Sequence, residues 1–184
     1  PGAKLQVENP ANSHSSSLLS KFDDSIYRDH MIRKMGIIDI RGIVQTLIAF
    51  PLPILQFYTK LHIRTDRLSA DLLNKLKLNA ANDKIDLKET VNRLPYTLIE
   101  GDPGSGKTTF LHFLTYTYCR DSSQPLPLFI EAVDLFEFWS GLSSFEKKPP
   151  WRTLLNFWVN LSNRQGWGFT EPWLMDAFKN GKVI

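Results

Sequence analysis

Apolar and polar positions recur along this chain with several periods, and each period predicts an element. Phe22, Ile26, Ile32 and Met35 fall roughly on one face of a helix over residues 22–35, and Gly36 supplies its stop. Residues 37–43 form a short β-branched run interrupted by Asp39, Arg41 and Gly42, and residues 47–63 mix apolar positions with Pro51 and Pro53 without a clean period. The Asn/Asp-rich residues 79–83 predict a solvent-exposed loop between short helices. Residues 96–100 predict a strand, and residues 108–119 a helix whose buried stripe is Leu111, Leu114, Thr115 and Tyr118. After Pro125 and Pro127, residues 128–133 predict the next strand. Trp151, Leu154, Leu155, Trp158 and Leu161 mark an amphipathic helix. Thr170 is a good N-cap for a last one, with Pro172 in its first turn and Gly181 past its end. Residues 182–184 begin a third strand. Strands alternating with helices predict an α/β fold built from βα units on a parallel sheet.

Composition narrows the class. Across 184 residues, 42% apolar and 22% charged positions are ordinary globular usage and exclude wholesale disorder. The polar, Ser-rich residues 1–20 cannot build a core and read as a disordered linker. The single cysteine, Cys119, cannot form an internal disulfide, which fits a reducing, cytoplasmic setting; its place at a predicted helix end reads as structural or incidental. The net charge of +3 divides into +4 over residues 1–93 and −1 over residues 94–184, with no basic patch, so the charge gives no direct evidence for a nucleic-acid partner. The longest apolar stretch, residues 43–58, is broken by Gln45, Thr46, Pro51, Pro53 and Gln56, so no membrane span is expected either. The chain opens at Pro1 and stops at Val183 and Ile184, and is expected to be a piece of a longer protein.

One motif carries chemistry. Gly101-Asp102-Pro103-Gly104-Ser105-Gly106-Lys107-Thr108 satisfies G-x-x-x-x-G-K-[ST] in full, after an apolar strand and before a helix. Polyphosphate needs several donors converging on it, and backbone N–H groups converge only where side chains leave the turn open. Gly101, Gly104 and Gly106 permit that path. The turn feeds a helix whose free N–H groups and positive dipole end face the phosphates. Lys107 is the candidate catalytic group and reaches the β/γ-phosphates, the Thr108 hydroxyl is the candidate Mg²⁺ ligand, and Thr109 adds a contact near the α-phosphate.

These residues resemble the NACHT domain of STAND-class P-loop NTPases. The run Leu98-Ile99-Glu100-Gly101-Asp102-Pro103-Gly104-Ser105-Gly106-Lys107-Thr108-Thr109 is similar to that family's P-loop, with its acidic-Pro-Gly centre and double Thr. Phe110-Leu111-His112-Phe113-Leu114 continues as the family's first helix does. Leu126-Pro127-Leu128-Phe129-Ile130, followed by Asp134-Leu135, resembles its second strand and exit. Ile38-Asp39-Ile40-Arg41-Gly42-Ile43 looks like the upstream segment bordering the base pocket, which adds Asp39 and Ile40 to the candidate nucleotide-binding residues. The resemblance implies a three-layer P-loop NTPase core with a parallel sheet at residues 94–184, incomplete here. A helical N-terminal segment at residues 21–93 leads into it. Residues 182–184 resemble the start of the Walker B strand, so ATP hydrolysis is expected of the longer parent and not of this segment alone. The resemblance further implies ATP/ADP with Mg²⁺ as cofactors of a switch in a signalling or defence protein. It also implies an upstream effector, a downstream sensor and self-oligomerisation of the whole protein.

Other readings compete at several positions. Asp39 and Arg41 border the nucleotide or form an exposed ion pair at a strand end; both stay open. His14, His30, His62 and His112 show no zinc-ligand spacing with Cys119. All five Trp residues lie between 139 and 173, and their helix-face spacing favours core packing over base stacking. Another AAA-type NTPase is one rival function, and a small P-loop kinase is the other. It would carry an Arg-rich lid, and residues 110–184 hold only Arg120, Arg152 and Arg164, scattered.

Overall fold

The computed structural model describes residues 22–38, 51–64, 71, 84–94, 96–142 and 149–184. Asp39, Ile40, Arg41 and the Asn/Asp-rich patch at 79–83 lie outside the described residues. The elements in chain order are α1 (Ser25–Met35), β1 (Ile37–Ile38), β2 (Leu52–Pro53), α2 (Ile54–Phe57), β3 (His62–Arg64), β4 (Lys84–Asp86), α3 (Leu87–Arg93), α4 (Lys107–Arg120), α5 (Ala132–Ser140), α6 (Pro150–Gln165) and α7 (Glu171–Lys179). The described residues divide into two compact units, one of those between Ser25 and Glu131 with Gly181–Ile184, the other of residues 22–24 with those between Ala132 and Asn180.

In the first unit α1 packs along α4. The face α1 buries is Tyr27, Arg28, Met31 and Met35, while Ile26 is 53% exposed. Of the stripe expected from apolar spacing, only Met35 is buried, because Tyr27 has a use for its polar end that Ile26 lacks. The Tyr27 hydroxyl donates to the carbonyl of Pro127 (2.7 Å) and accepts from the N–H of Phe129 (3.3 Å). Burying an aromatic ring together with a satisfied hydroxyl outweighs burying an isoleucine. Gly36 follows the last residue of α1 as expected, and the position admits only glycine: a Cβ there would lie 2.6 Å from the Ile32 carbonyl and 3.0 Å from the Tyr116 ring.

Two short antiparallel pairs follow. Ile37 faces Pro53 and Ile38 faces Leu52; His62, Ile63 and Arg64 face Asp86, Ile85 and Lys84. Asp86 then caps α3, its carboxylate accepting from the Lys88 N–H at 2.8 Å.

A parallel bridge joins Leu126 to Val183. The Leu126 N–H donates to the Lys182 carbonyl (2.8 Å), the Ile184 N–H to the Leu126 carbonyl (3.0 Å) and the Leu128 N–H to the Ile184 carbonyl (2.8 Å). The pairing therefore begins two residues earlier than the strand expected at 128–133, and α5 has started by Ala132. Alternate residues of a strand point their amides to opposite edges, so Pro127, which has no N–H, fits between Leu126 and Leu128 at no cost to this ladder. The Tyr27 hydroxyl serves the opposite edge, where Pro127 and Phe129 turn their polar groups. Residues 96–100, expected as a strand, pair with no strand among the described residues, and Leu98 is 83% exposed.

The second unit is organised by aromatic rings. α6 buries Thr153, Leu155, Phe157, Trp158 and Ser162; Trp151, expected in the stripe, is exposed. Gly166 ends α6 in the left-handed region (φ 72°). The fully buried Ser162 hydroxyl accepts from the Phe169 N–H at 2.7 Å, which folds the turn back on the helix. Phe169 then stacks on Trp173 with centroids 5.1 Å apart and meets Phe22 and Trp158 at 5.3 and 6.2 Å. Thr170 caps α7 by accepting from the Trp173 N–H.

Candidate functional site

The site is the turn that opens α4. Asp102-Pro103-Gly104-Ser105 closes with a bond from the Ser105 N–H to the Asp102 carbonyl (3.2 Å), and Gly104 has φ +78°. Proline second and a positive-φ glycine third are the requirements of a type II turn. Gly106 is again left-handed (φ 86°, ψ 11°) and stands at the N-cap of α4 with no side-chain cap, its carbonyl accepting the first helical bond from Phe110 at 2.8 Å. The N–H groups of Lys107, Thr108 and Thr109 have no acceptor within the helix, as at any helix start. The loop from Gly101 to Ser105 is exposed. The result is a solvent-facing turn whose backbone donors sit at the positive end of a 14-residue helix.

Lys107 folds over this turn. Its ammonium donates to the carbonyls of Gly101 (2.7 Å) and Asp102 (2.8 Å) and to the Ser105 hydroxyl (3.2 Å). The positive charge is thus held above the loop by the loop's own acceptors. Thr108 lies beside it, exposed, in the first turn of α4. It can give one oxygen to a hard cation that takes its remaining ligands from phosphate and water, as Mg²⁺ commonly does. Among the described residues no group of three or more His, Cys, Asp or Glu could hold a metal ion. No helix among them is long and apolar enough to cross a membrane.

The structure brings Gly101, Asp102, Ser105 and Lys107 into direct contact and places Pro103, Gly104, Gly106, Thr108 and Thr109 around them. Asp39 and Ile40, named for the base pocket, lie outside the described residues.

Three supports of the loop and of the helix it opens are not evident from the motif. Leu61 methyls stand 3.7 and 3.8 Å from where a Cβ on Gly106 would be, so the segment before β3 backs the turn. That segment is anchored by the Leu61 carbonyl, which accepts from the Leu87 N–H (3.0 Å), and by Tyr58, whose ring stacks on Phe113 of α4 at 4.0 Å. At the far end of α4, Arg28 is buried and donates to the carbonyls of Tyr118 (2.9 Å), Asp121 (3.3 Å) and Gln124 (3.1 Å). A cation bound to a helix C-terminus satisfies orphan carbonyls and complements the dipole. The helix itself buries Phe110, Thr115, Tyr118 and Cys119 and leaves Leu111 exposed, which moves the expected stripe part of a turn. The one sequence signal for Arg28 is a charge inside an otherwise buried helical face; for Leu61 there is none.

His112, on α4, packs edge-on to Phe129 at 5.3 Å. Burial holds its pKa below the usual histidine value, with Glu131 pulling up and Lys34 down. Tyr27 is pushed in the opposite sense, well above the usual phenol range, chiefly by burial.

No protein-family model, curated protein or solved structure matches the chain.

Proposed function

We propose that this chain is the phosphate-binding part of a NACHT-type P-loop NTPase and binds ATP, in preference to GTP, with Mg²⁺. The observation that carries the reading is the turn at residues 101–106. Two left-handed glycines lead into a helix with no side-chain cap, and a lysine from the first helical position lies over the loop. In the bound state the backbone N–H groups from Gly104 to Thr109 cradle the α- and β-phosphates, Lys107 donates to the β/γ oxygens, and Thr108 gives Mg²⁺ one ligand. Mg²⁺ held there by Thr108 would supply charge neutralisation to the phosphates. The proposal concerns binding: turnover needs further charge-stabilising groups. By resemblance, the binding acts as the nucleotide switch of a cytoplasmic signalling or defence protein, in which the γ-phosphate shifts a conformational population through contacts available in only one state.

Isothermal titration with Mg-ATP and Mg-GTP tests it. Heat with Mg-ATP that disappears in Lys107→Ala is expected. No heat with either nucleotide, or undiminished heat in the variant, refutes the proposal.

A further inference from the structure

Resting on the nucleotide reading, we infer that the Ser105 hydroxyl competes with bound phosphate for the Lys107 ammonium and thereby sets how tightly the loop holds an anion. A lysine ammonium has three donors. Here all three are taken by the loop: the Gly101 carbonyl at 2.7 Å, the Asp102 carbonyl at 2.8 Å and Ser105 Oγ at 3.2 Å. A phosphate oxygen can gain a bond from this ammonium only by displacing one of them.

The three acceptors are not equivalent. The two carbonyls belong to the backbone of the turn, and that of Asp102 is also engaged by the Ser105 N–H, so neither moves unless the turn opens. Ser105 Oγ makes the longest of the three contacts, sits on an exposed residue and reaches water by rotation about one bond. It is also a neutral acceptor, and a charge-assisted bond to an anionic oxygen is roughly twice as strong as a neutral one. Ser105 therefore yields its place, and the two carbonyls keep theirs. The Ser105 Oγ–Lys107 contact is an internal stand-in for the ligand, and its loss is subtracted from the affinity of every anion that enters. Ser105 acts through Lys107 and is a positioning residue with a negative effect on binding, the reverse of what a phosphate-binding serine would show.

Removing the hydroxyl should tighten binding. With Mg-ATP, and with inorganic triphosphate in parallel, Ser105→Ala is expected to lower the Kd about twofold to tenfold, the range for one hydrogen bond. Ser105→Cys, of similar shape with a weak acceptor, should fall between Ala and wild type. In a Lys107→Ala background, which by itself is expected to abolish the heat, the same Ser105→Ala change should restore no binding, because the competition needs the ammonium. A serine that merely shapes the loop would not show this dependence. Wild-type binding that is unchanged or weakened in Ser105→Ala overturns this inference and leaves the nucleotide reading standing. Tightening that persists without Lys107 overturns it too. No binding by wild type and Ser105→Ala alike overturns both.

Discussion

Tyr27→Phe removes one oxygen from the interior and asks how much a single hydroxyl contributes to holding a strand. The ring remains, so the apolar contacts of this fully buried side chain are preserved. Two bonds are lost: donation to the Pro127 carbonyl at 2.7 Å and acceptance from the Phe129 N–H at 3.3 Å. Pro127 is buried, and an acceptor stripped of a partner there costs about 1–3 kcal/mol. Phe129 is only half-buried, so its N–H recovers part of its solvation, and the second loss is about 0.5 kcal/mol. The expected destabilisation is about 1.5–3.5 kcal/mol, which at a typical urea m-value moves the unfolding midpoint down by about 1 M. Urea unfolding followed by tryptophan fluorescence and by circular dichroism measures it, with Tyr118→Phe as the comparison. That variant loses a bond to Asn92, whose side chain is exposed, and should cost less. The pH dependence gives a second arm. Burial raises the Tyr27 pKa above its ordinary value of 10.0 in the folded state. The unfolded chain therefore loses this proton first, and the stability due to Tyr27 is full below pH 10 and falls as pH rises beyond it. The wild-type advantage over Tyr27→Phe should shrink in that range. A midpoint shift below about 0.2 M at neutral pH refutes the assignment of the hydroxyl as the second edge of the strand.

Two glycines should respond differently to alanine. At Gly36 the new Cβ meets a carbonyl oxygen at 2.6 Å and the Tyr116 ring at 3.0 Å, so overpacking should cost about 1–3 kcal/mol by urea unfolding. At Gly104 the Cβ would enter open space, and only the positive φ of 78° opposes it, a cost of about 1 kcal/mol by the same measurement. A smaller cost at Gly36 than at Gly104 would refute the steric reasoning. His112→Phe addresses acid sensitivity. The His112 pKa is depressed below 6.5, so the unfolded chain takes up the proton first and stability falls as pH drops below 6.5 toward the lower folded value. The variant should lose less stability than wild type between pH 7 and pH 5 in thermal scans; equal losses in the two proteins count against it.

The turn at residues 101–106 is the most legible part of the chain because its demands are local. The type II turn needs Pro103 and Gly104 in succession, the helix start needs Gly106 left-handed, and Lys107 reaches Gly101 and Asp102 from six and five residues away. Sequence spacing contains all of that. Helix caps belong to the same class: Thr170 accepting from the Trp173 N–H three residues on, and Gly166 and Gly181 at positive φ, follow from residue type and offset.

Buried faces are a different kind of problem, since periodicity states that a helix has an apolar side but leaves the choice among neighbouring sides to partners far along the chain. Tyr27 turns inward for bonds to Pro127 and Phe129, and Arg28 beside it for carbonyls at Tyr118, Asp121 and Gln124, all about ninety to one hundred residues away in sequence. Those polar anchors rotate α1 so that Met31 goes in and Ile26 comes out, against the order of hydrophobicity. The same tyrosine decides a second question. By serving the Pro127 and Phe129 edge of the strand, its hydroxyl leaves Leu126 and Leu128 to pair with residues 182–184, so the ladder includes a proline that sequence reasoning treats as punctuation. One buried hydroxyl thus joins α1 to the edge of residues 127–129 that the bridge to Val183 leaves open. Its removal is accordingly the sharpest single test of how this unit is assembled.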